Sequence, residues 1–261
     1  MALYHSGAAM TAMDSVKRFA VWSVVITAVL IGTPSVGNAD TAIETETAQI
    51  GKKGDFAVSQ AYQYGRATDG TSGESVTQFE YALSDRAEIL VEPFFYVWDH
   101  PKGEKKVQGL GDLEITPSYQ IVLENGWVPA ILAAIKQKVP TGSESAGGSG
   151  EFDYLPYLIF GQHFGGWTFN ANIGVNIVTP PEGEKKYGKT FTWALETERE
   201  ITPDWTAFFE VLSTEDDVKT VSTALEYKLT EILNAFGAAG YTEFDEGIFR
   251  LGVNFDGSVG P

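Results

Sequence analysis

The chain has 261 residues, no cysteine and a formal net charge of −17. Its length allows one large β domain or two smaller ones. The acidity excludes nucleic acid as a partner, because binding to a phosphate backbone needs a basic face. The absence of cysteine excludes a disulfide framework and thiolate chemistry.

The first residues have the pattern of a secretory signal. Lys17 and Arg18 precede an apolar run at residues 19–31, which is followed by small residues up to position 39. This pattern predicts a cleaved signal peptide at residues 1–39. A membrane anchor is the alternative, but a run of about 13 residues is too short to span a bilayer well.

Residues 40–54 are polar and show no periodicity. Such a segment buries too little apolar surface to fold by itself, so the composition predicts a flexible periplasmic lead-in. A plug inside a barrel is the alternative that the same composition leaves open.

From residue 55 onward the chain alternates between strand-like and turn-like segments. In the clearest stretch, residues 109–142, one arm alternates polar and apolar residues, Asn125-Gly126 follows, and a second, apolar arm comes next. Side chains of a strand alternate between its two faces, and Asn-Gly favours a tight hairpin turn. The same rhythm predicts strands at residues 55–64, 75–83, 87–98, 111–123, 127–138, 152–164, 167–178, 190–198, 205–212, 220–229, 235–241 and 247–255.

Connectors of two classes separate these strands. Short ones, such as residues 165–166, alternate with long polar ones, such as residues 65–74 and 99–110. Bacterial outer-membrane barrels have short periplasmic turns and long extracellular loops. The alternation therefore predicts an all-β fold, a transmembrane antiparallel up-and-down β-barrel of about 12 strands within residues 55–261.

Several tryptophans lie at the ends of predicted strands. Some open a strand directly after a short turn and others lie near long loops, which matches the two aromatic belts at membrane interfaces. A β core that contains tryptophan is the alternative. The predicted aromatic girdle consists of Trp98, Trp127, Trp167, Trp193 and Trp205.

Charged and amide side chains gather on one face of the predicted strands. In a soluble protein this face would meet solvent, whereas in a barrel it lines the lumen, where carboxylates pair with cations or stay hydrated. The predicted lumen-lining residues, which would contact a solute, are Asp112, Glu114, Lys136, Asn170, Asn172, Asn176, Glu196, Glu210, Glu226, Lys228 and Arg250.

Other motifs carry weaker signals. Residues 183–190 match the phosphate-binding pattern G-x-x-x-x-G-K-[ST], but the flanking residues alternate as in an antiparallel strand, so we interpret the match as accidental. The acidic residues 215–217 lack the spacing of a calcium loop. No pattern in the chain predicts a metal ion or another cofactor.

Two hypotheses concern the surface and an enzymatic role. The similar basic segments at residues 101–106 and 181–186 fall in predicted extracellular loops, where they would meet lipopolysaccharide phosphates or simply stay solvated. His163, beside a short turn, is the candidate base of a lipid-modifying enzyme, although a lone histidine is usually structural.

Three stretches are similar to a known family: GLGDLEITPSYQIV at residues 109–122, KVPTG at residues 138–142 and DYLPYLIFGQHFGGWTFNANIGVNIV at residues 153–178. The chain resembles the outer-membrane barrel family named after the meta-cleavage pathway of phenol degradation. The resemblance implies a bacterial outer-membrane protein that passively passes small hydrophobic or aromatic compounds. Membrane lipid, lipopolysaccharide and a small solute are the implied partners.

The resemblance carries no binding residues onto this chain, so other roles stay open. The main alternative is a structural or surface-interaction barrel with a sealed lumen. A lipid-modifying outer-membrane enzyme is the other.

Overall fold

The computed structural model describes residues 45–143, 150–180, 187–213, 219–242 and 246–259. Within these ranges, no helix has the length and apolar character that crossing a membrane requires. The strands are β1 (Asp55–Ala67), β2 (Gly70–Ser84), β3 (Ala87–Pro101), β4 (Val107–Gly109), β5 (Leu113–Val122), β6 (Ala130–Val139), β7 (Asp153–Phe164), β8 (Trp167–Val178), β9 (Gly188–Thr202), β10 (Trp205–Ser213), β11 (Lys219–Thr230), β12 (Leu233–Thr242) and β13 (Gly247–Ser258).

The strands form one closed ring. Each pairs antiparallel with its neighbours along the chain, and β1 pairs with both β2 and β13, which joins the first strand to the last. The short β4 pairs with β3 in line with β5, so the ring contains 12 strands. The predicted all-β, antiparallel barrel is confirmed.

The two faces of the wall differ as the sequence pattern predicts. On β5, Thr116 and Gln120 are 0% and 5% exposed, whereas Tyr119 and Ile121 are 54% and 52% exposed. Polar side chains therefore point inward and apolar ones outward, the reverse of a soluble β-sandwich. A closed ring also pairs the backbone groups that lipid could not satisfy.

The barrel has a turn end, where residues 85–86 and 165–166 connect strands, and an opposite loop end. At the loop end, the predicted loop at residues 65–74 is instead a hairpin with only residues 68–69 between β1 and β2. The predicted alternation of short and long connectors therefore fails at this connector, which is short where a long loop was expected. Backbone groups of antiparallel strands continue to pair wherever a tight turn closes them, whatever the polarity of the side chains.

Candidate functional site

Residues 45–50, here called the lumen segment, lie inside the barrel. Just before β1, the Lys53 N–H donates to Asp85 in the β2–β3 turn, so the chain enters from the turn end. The lumen segment belongs to the predicted lead-in at residues 40–54. Its position in the lumen is the alternative that the composition left open, and residues 40–44 lie outside the described ranges.

The lumen segment packs closely against the inner wall. Ala48 is fully buried and contacts a cluster that includes Leu132 on β6 and Ile159 on β7. Gly161 permits this approach, because a Cβ at that position would lie 2.5 Å from the Ala48 Cβ. A larger residue at either position would push the segment away from the wall.

Polar side chains of the wall hold the backbone of the lumen segment. Thr45 donates to Glu210 Oε1 from its N–H at 2.7 Å and from its Oγ1 at 2.6 Å. The Ala48 N–H donates to Asn170 Oδ1 at 3.4 Å, and Asn170 in turn donates to Glu196 at 3.0 Å. Backbone groups removed from water need such partners, and the inward-facing residues supply them.

Glu46 is bound to the wall through both its side chain and its backbone. The Tyr157 hydroxyl donates to its carboxylate, and Lys136 Nζ lies 3.6 Å from it. With its amide oriented to suit its neighbours, Asn172 accepts from the Glu46 N–H at 2.7 Å and donates to the Glu46 carbonyl at 3.0 Å. The lumen segment is thus anchored on β6, β7 and β8 at a single residue.

Lys136 links this anchor to the next two strands of the wall, β5 and β3. Its Nζ lies 3.3 Å from a Glu92 oxygen on β3 and 3.5 Å from a Glu114 oxygen on β5. Gln78 on β2 donates to Glu92 at 3.0 Å. One ammonium group therefore faces three carboxyl groups, those of Glu46, Glu92 and Glu114. Removing it would leave buried carboxyl groups without a compensating charge, which is costly.

A cavity of about 440 Å³ lies on the loop side of this network. Its lining combines charged groups, amides and aromatic or aliphatic side chains, which suits a small solute with both polar and apolar parts. Lys138 borders the cavity and forms an ion pair with Asp153. Other residues that border the cavity are Glu46, Lys136, Tyr154, Tyr157, Asn172, Asn176 and Leu212.

A hydrogen-bonded latch at the loop end joins the start of β5 to the connector after β6. Asp112 Oδ1 accepts from the Gly142 N–H at 2.7 Å, and Thr141 Oγ1 accepts from the Leu113 N–H at 2.9 Å. Asp112 therefore lies at the rim, just before β5, and uses its carboxylate in the latch. The G-x-G-D and P-T-G stretches that carry the family resemblance meet at this point.

At the turn end, both ring nitrogens of His163 have partners. Nδ1 lies 2.5 Å from Glu124 Oε2, and Nε2 lies 2.7 Å from Gln49 Nε2. Burial favours a higher pKa for Glu124, but the hydrogen bonds from the His163 ring and N–H outweigh it and hold the pKa below its usual value. A catalytic base needs a nucleophile on its ring. These partners are an acid and an amide, which disfavours the hypothesis of a lipid-modifying site at His163.

The remaining predicted residues lie on β11 and β13. Glu226 accepts from Asn254 Nδ2 at 2.9 Å. Arg250 is 5% exposed and faces the Phe236 ring, with 5.8 Å between the guanidinium carbon and the ring centroid. Lys228 instead lies at the rim of the turn end, where its Nζ pairs with Glu231 at 2.7 Å.

The structure thus brings most of the predicted lumen-lining residues to the inner wall and places Asp112 and Lys228 at opposite rims. Their contact with a solute remains a prediction. Sequence analysis missed Glu46, Glu92 and Tyr157. The alternation along β3 and β7 could have identified the last two, whereas the aperiodic composition around Glu46 contains no signal for a position in the lumen.

The predicted girdle tryptophans occupy two levels of the wall. At the turn end, Trp167 and Trp205 begin β8 and β10, and Trp127 is 84% exposed in the connector before β6. The expectation that Trp127 opens a strand is wrong, because Asn125–Val128 bridging closes a separate small turn first. Trp98 and Trp193 lie toward the loop end of β3 and β9. Their contact with lipid remains a prediction.

Solved structures share the fold of this chain. The COG4313 outer membrane channel from Pseudomonas putida F1 has a TM-score of 0.62 and 13% identity, with 84% of this chain and 99% of that chain covered. NanC porin has a TM-score of 0.57 and 12% identity, with 76% and 98% covered. KdgM porin in complex with disordered oligogalacturonate has a TM-score of 0.55 and 14% identity, with 76% and 98% covered.

At these identities, the likeness concerns the fold alone. Among curated proteins, none matches this chain by sequence. A family model does match, over residues 33–247, which includes the latch, the Lys136 network and most of the ring. The chain therefore belongs to the family described as "Putative MetA-pathway of phenol degradation".

Proposed function

We propose that the protein is a passive channel for small solutes in the bacterial outer membrane. The observation that carries this proposal is a closed ring with an apolar outer face and a hydrophilic interior that contains a cavity of about 440 Å³. An inverted arrangement of this kind suits lipid outside and water inside. The related folds of the COG4313 channel and the KdgM and NanC porins support the same role.

The cavity suggests the class of solute. Tyr154, Tyr157 and Leu212 supply aromatic and aliphatic surface, while Asn172 and Asn176 supply donors and acceptors beside it. We propose a small aromatic compound that carries a polar substituent. Such a compound would pack its ring on the aromatic and aliphatic side chains and exchange hydrogen bonds with the two asparagines.

Outer-membrane lipid and lipopolysaccharide are the proposed surroundings. Toward the loop end, Lys106 Nζ lies 4.3 Å from the Trp98 ring centroid, and Trp98 Nε1 donates to the Tyr62 hydroxyl at 3.1 Å. An ammonium group above aromatic side chains combines an attraction for lipid phosphates with an interfacial anchor. The second basic segment of the lipopolysaccharide hypothesis, residues 181–186, lies outside the described residues.

A barrel sealed for a structural role is the second candidate, because the lumen segment occupies part of the interior. Conductance in planar bilayers separates the two roles. The test compares the native chain with a variant that lacks residues 43–50 and keeps residues 40–42, so that the signal cleavage site is preserved. We expect a small conductance from the native chain and a severalfold larger one from the variant, since the cross-section for ions grows.

A matched control for this deletion is Glu46→Gln, which keeps the segment in place but weakens its ion pair with Lys136. Its conductance should lie between the two. If neither the native chain nor the deletion variant conducts or supports liposome swelling, although both fold as judged by heat-modifiable gel mobility, the barrel is sealed and the channel proposal fails.

A further inference from the structure

A second group of inward-facing acids lies on β2, β3, β11 and β13, apart from the wall that holds the lumen segment. We call it the acid track, and it is built around small residues. Ala57 on β1 pairs in register with Asp256 on one side and with Glu80 on the other. With alanine between them, these two carboxyl groups face each other across β1. The acid track consists of Glu80, Glu88, Glu226 and Asp256, with Ser59 and Asn254 between them.

Several oxygen atoms of the acid track are buried without a protein hydrogen-bond partner. They are Ser59 Oγ, Asn254 Oδ1 and Asp256 Oδ1, on residues that are 1%, 1% and 7% exposed. The orientation of Asn254 is fixed, because its amide nitrogen donates to Glu226 at 2.9 Å and its oxygen must point elsewhere. Unpaired buried acceptors are rare and costly, so these oxygens suit a cation or another donor.

The two lysines of the inner wall lie away from the acid track and pair with other carboxyl groups. Lys136 is shared among Glu46, Glu92 and Glu114, and Lys138 is paired with Asp153. Arg250 lies on β13 itself, four residues from Asn254 toward the loop end, and is the cation of the described wall nearest to the acid track. The described acid track therefore has four carboxyl groups beside this one arginine, and those that are ionised create a field in the narrow lumen that attracts cations and repels anions.

The carboxyl groups form a curved row around the wall, from β3 through β2 and β13 to β11, and not a cage. Within the described ranges, no group of three or more acids or histidines is arranged to hold a metal ion. A row of oxygens suits weakly held monovalent ions, because conduction requires binding that is favourable enough for entry and weak enough for release.

We propose that the acid track binds monovalent cations and makes the channel cation-selective. This inference rests on the proposed function and adds a charge preference to it. It also separates this chain from KdgM in one respect, because the oligogalacturonate in the KdgM structure carries carboxylates that this wall would repel.

The test is the reversal potential of the native chain and the residue 43–50 deletion variant in a tenfold KCl gradient. The variants Asp256→Asn and Glu226→Gln remove charge while keeping size and hydrogen-bond acceptors, and Glu104→Gln removes an exposed charge between β3 and β4 as the control. We expect potassium to permeate better than chloride, and the double variant to lower the permeability ratio about threefold or more. The control should leave the ratio unchanged.

The other possible outcomes distinguish a failure of the acid track from a failure of the channel proposal. A conducting barrel without cation preference, or a ratio that the double variant leaves unchanged, overturns the acid track and leaves the channel. Absence of conductance from both the native chain and the deletion variant overturns the channel and the acid track together. Should the double variant fail to fold, Glu80→Gln provides the same comparison at another position of the track.

Discussion

Glu210 shows how a single residue can be both a wall residue and an anchor. It is 1% exposed and accepts from the Thr45 N–H, the Thr45 hydroxyl and the Ser222 hydroxyl, the last at 2.8 Å. A buried carboxylate is costly without such donors. Sequence periodicity predicted the inward orientation of Glu210 but not Thr45 as its partner, because periodicity reports the face of a strand and contains no information about an aperiodic segment that crosses it.

Glu246 provides a pH-dependent test at the residue scale. It lies just before β13 at the loop end, and burial, with the charges of Asp69 and Asp99, raises its pKa above the usual 4.5. The folded protein therefore holds this proton at a higher pH than the unfolded chain does, so stability falls as pH rises above about 4.5 and levels off beyond the folded pKa.

We expect Glu246→Gln to raise the urea midpoint of unfolding at pH 7 and to have almost no effect at about pH 3, where the native carboxyl group is protonated in both states. Urea titrations at both pH values measure this difference. A midpoint that shifts equally at low pH and at pH 7 would show that the change acts through packing and not through charge.

At the scale of the elements, the latch joins two stretches that carry the family resemblance, the start of β5 and the connector after β6. A larger residue at position 142 would disturb the latch, because its Cβ would lie 2.7 Å from Asp112 Oδ1 and 3.0 Å from the Asp112 backbone nitrogen. Sequence analysis recognised these landmarks but assigned Asp112 to the lumen. The strand begins one residue later, at Leu113, so the carboxylate is free to turn toward the connector.

We expect Asp112→Ala to weaken the connector locally, because the Gly142 N–H loses a charged acceptor. A net loss of about 1–2 kcal/mol is typical for such a bond, and hydrogen exchange of the peptide that contains Gly142 measures it as faster exchange. Asp112→Asn keeps an acceptor oxygen and is the control. Equal exchange in Asp112→Ala and the native chain would mean that Thr141 holds the connector without help.

At the scale of the whole molecule, the sequence predicted the features that follow from the repeating strand pattern and missed the features that do not. The alternation along each strand predicted the all-β class, the strand number and the inner face, because each depends on a period of two. Even residues 235–241, which are rich in glycine and alanine, form β12, because pairing with β11 and β13 outweighs their low strand propensity. The lumen segment and the extended β1–β2 hairpin lie outside that period, and both depend on tertiary contacts.

A pair of arginine substitutions tests the inside-out arrangement of the barrel. Side chains alternate between the two faces of β8: Ile173 is 44% exposed on the outer face, and Asn176 lies on the same inner face as Asn170, which is 4% exposed. We expect Ile173→Arg to cost roughly 2–4 kcal/mol of stability in lipid vesicles, because the charge cannot be solvated by hydrocarbon, and Asn176→Arg to cost much less. Urea midpoints in vesicles give the comparison, and equal losses would contradict a lipid-facing outer wall.

The entry of the lumen segment from the turn end has a practical consequence for labelling and purification. Thr45 contacts the inner wall and is only six residues beyond the predicted cleavage position after residue 39, so a tag fused at that position would lie within a few residues of the lumen segment. A bulky tag there would compete with the wall contacts of Thr45, Glu46 and Ala48, and its effect would be mistaken for an effect on transport. The β1–β2 hairpin tip at residues 68–69 projects from the loop end and offers an insertion point that leaves the interior unchanged.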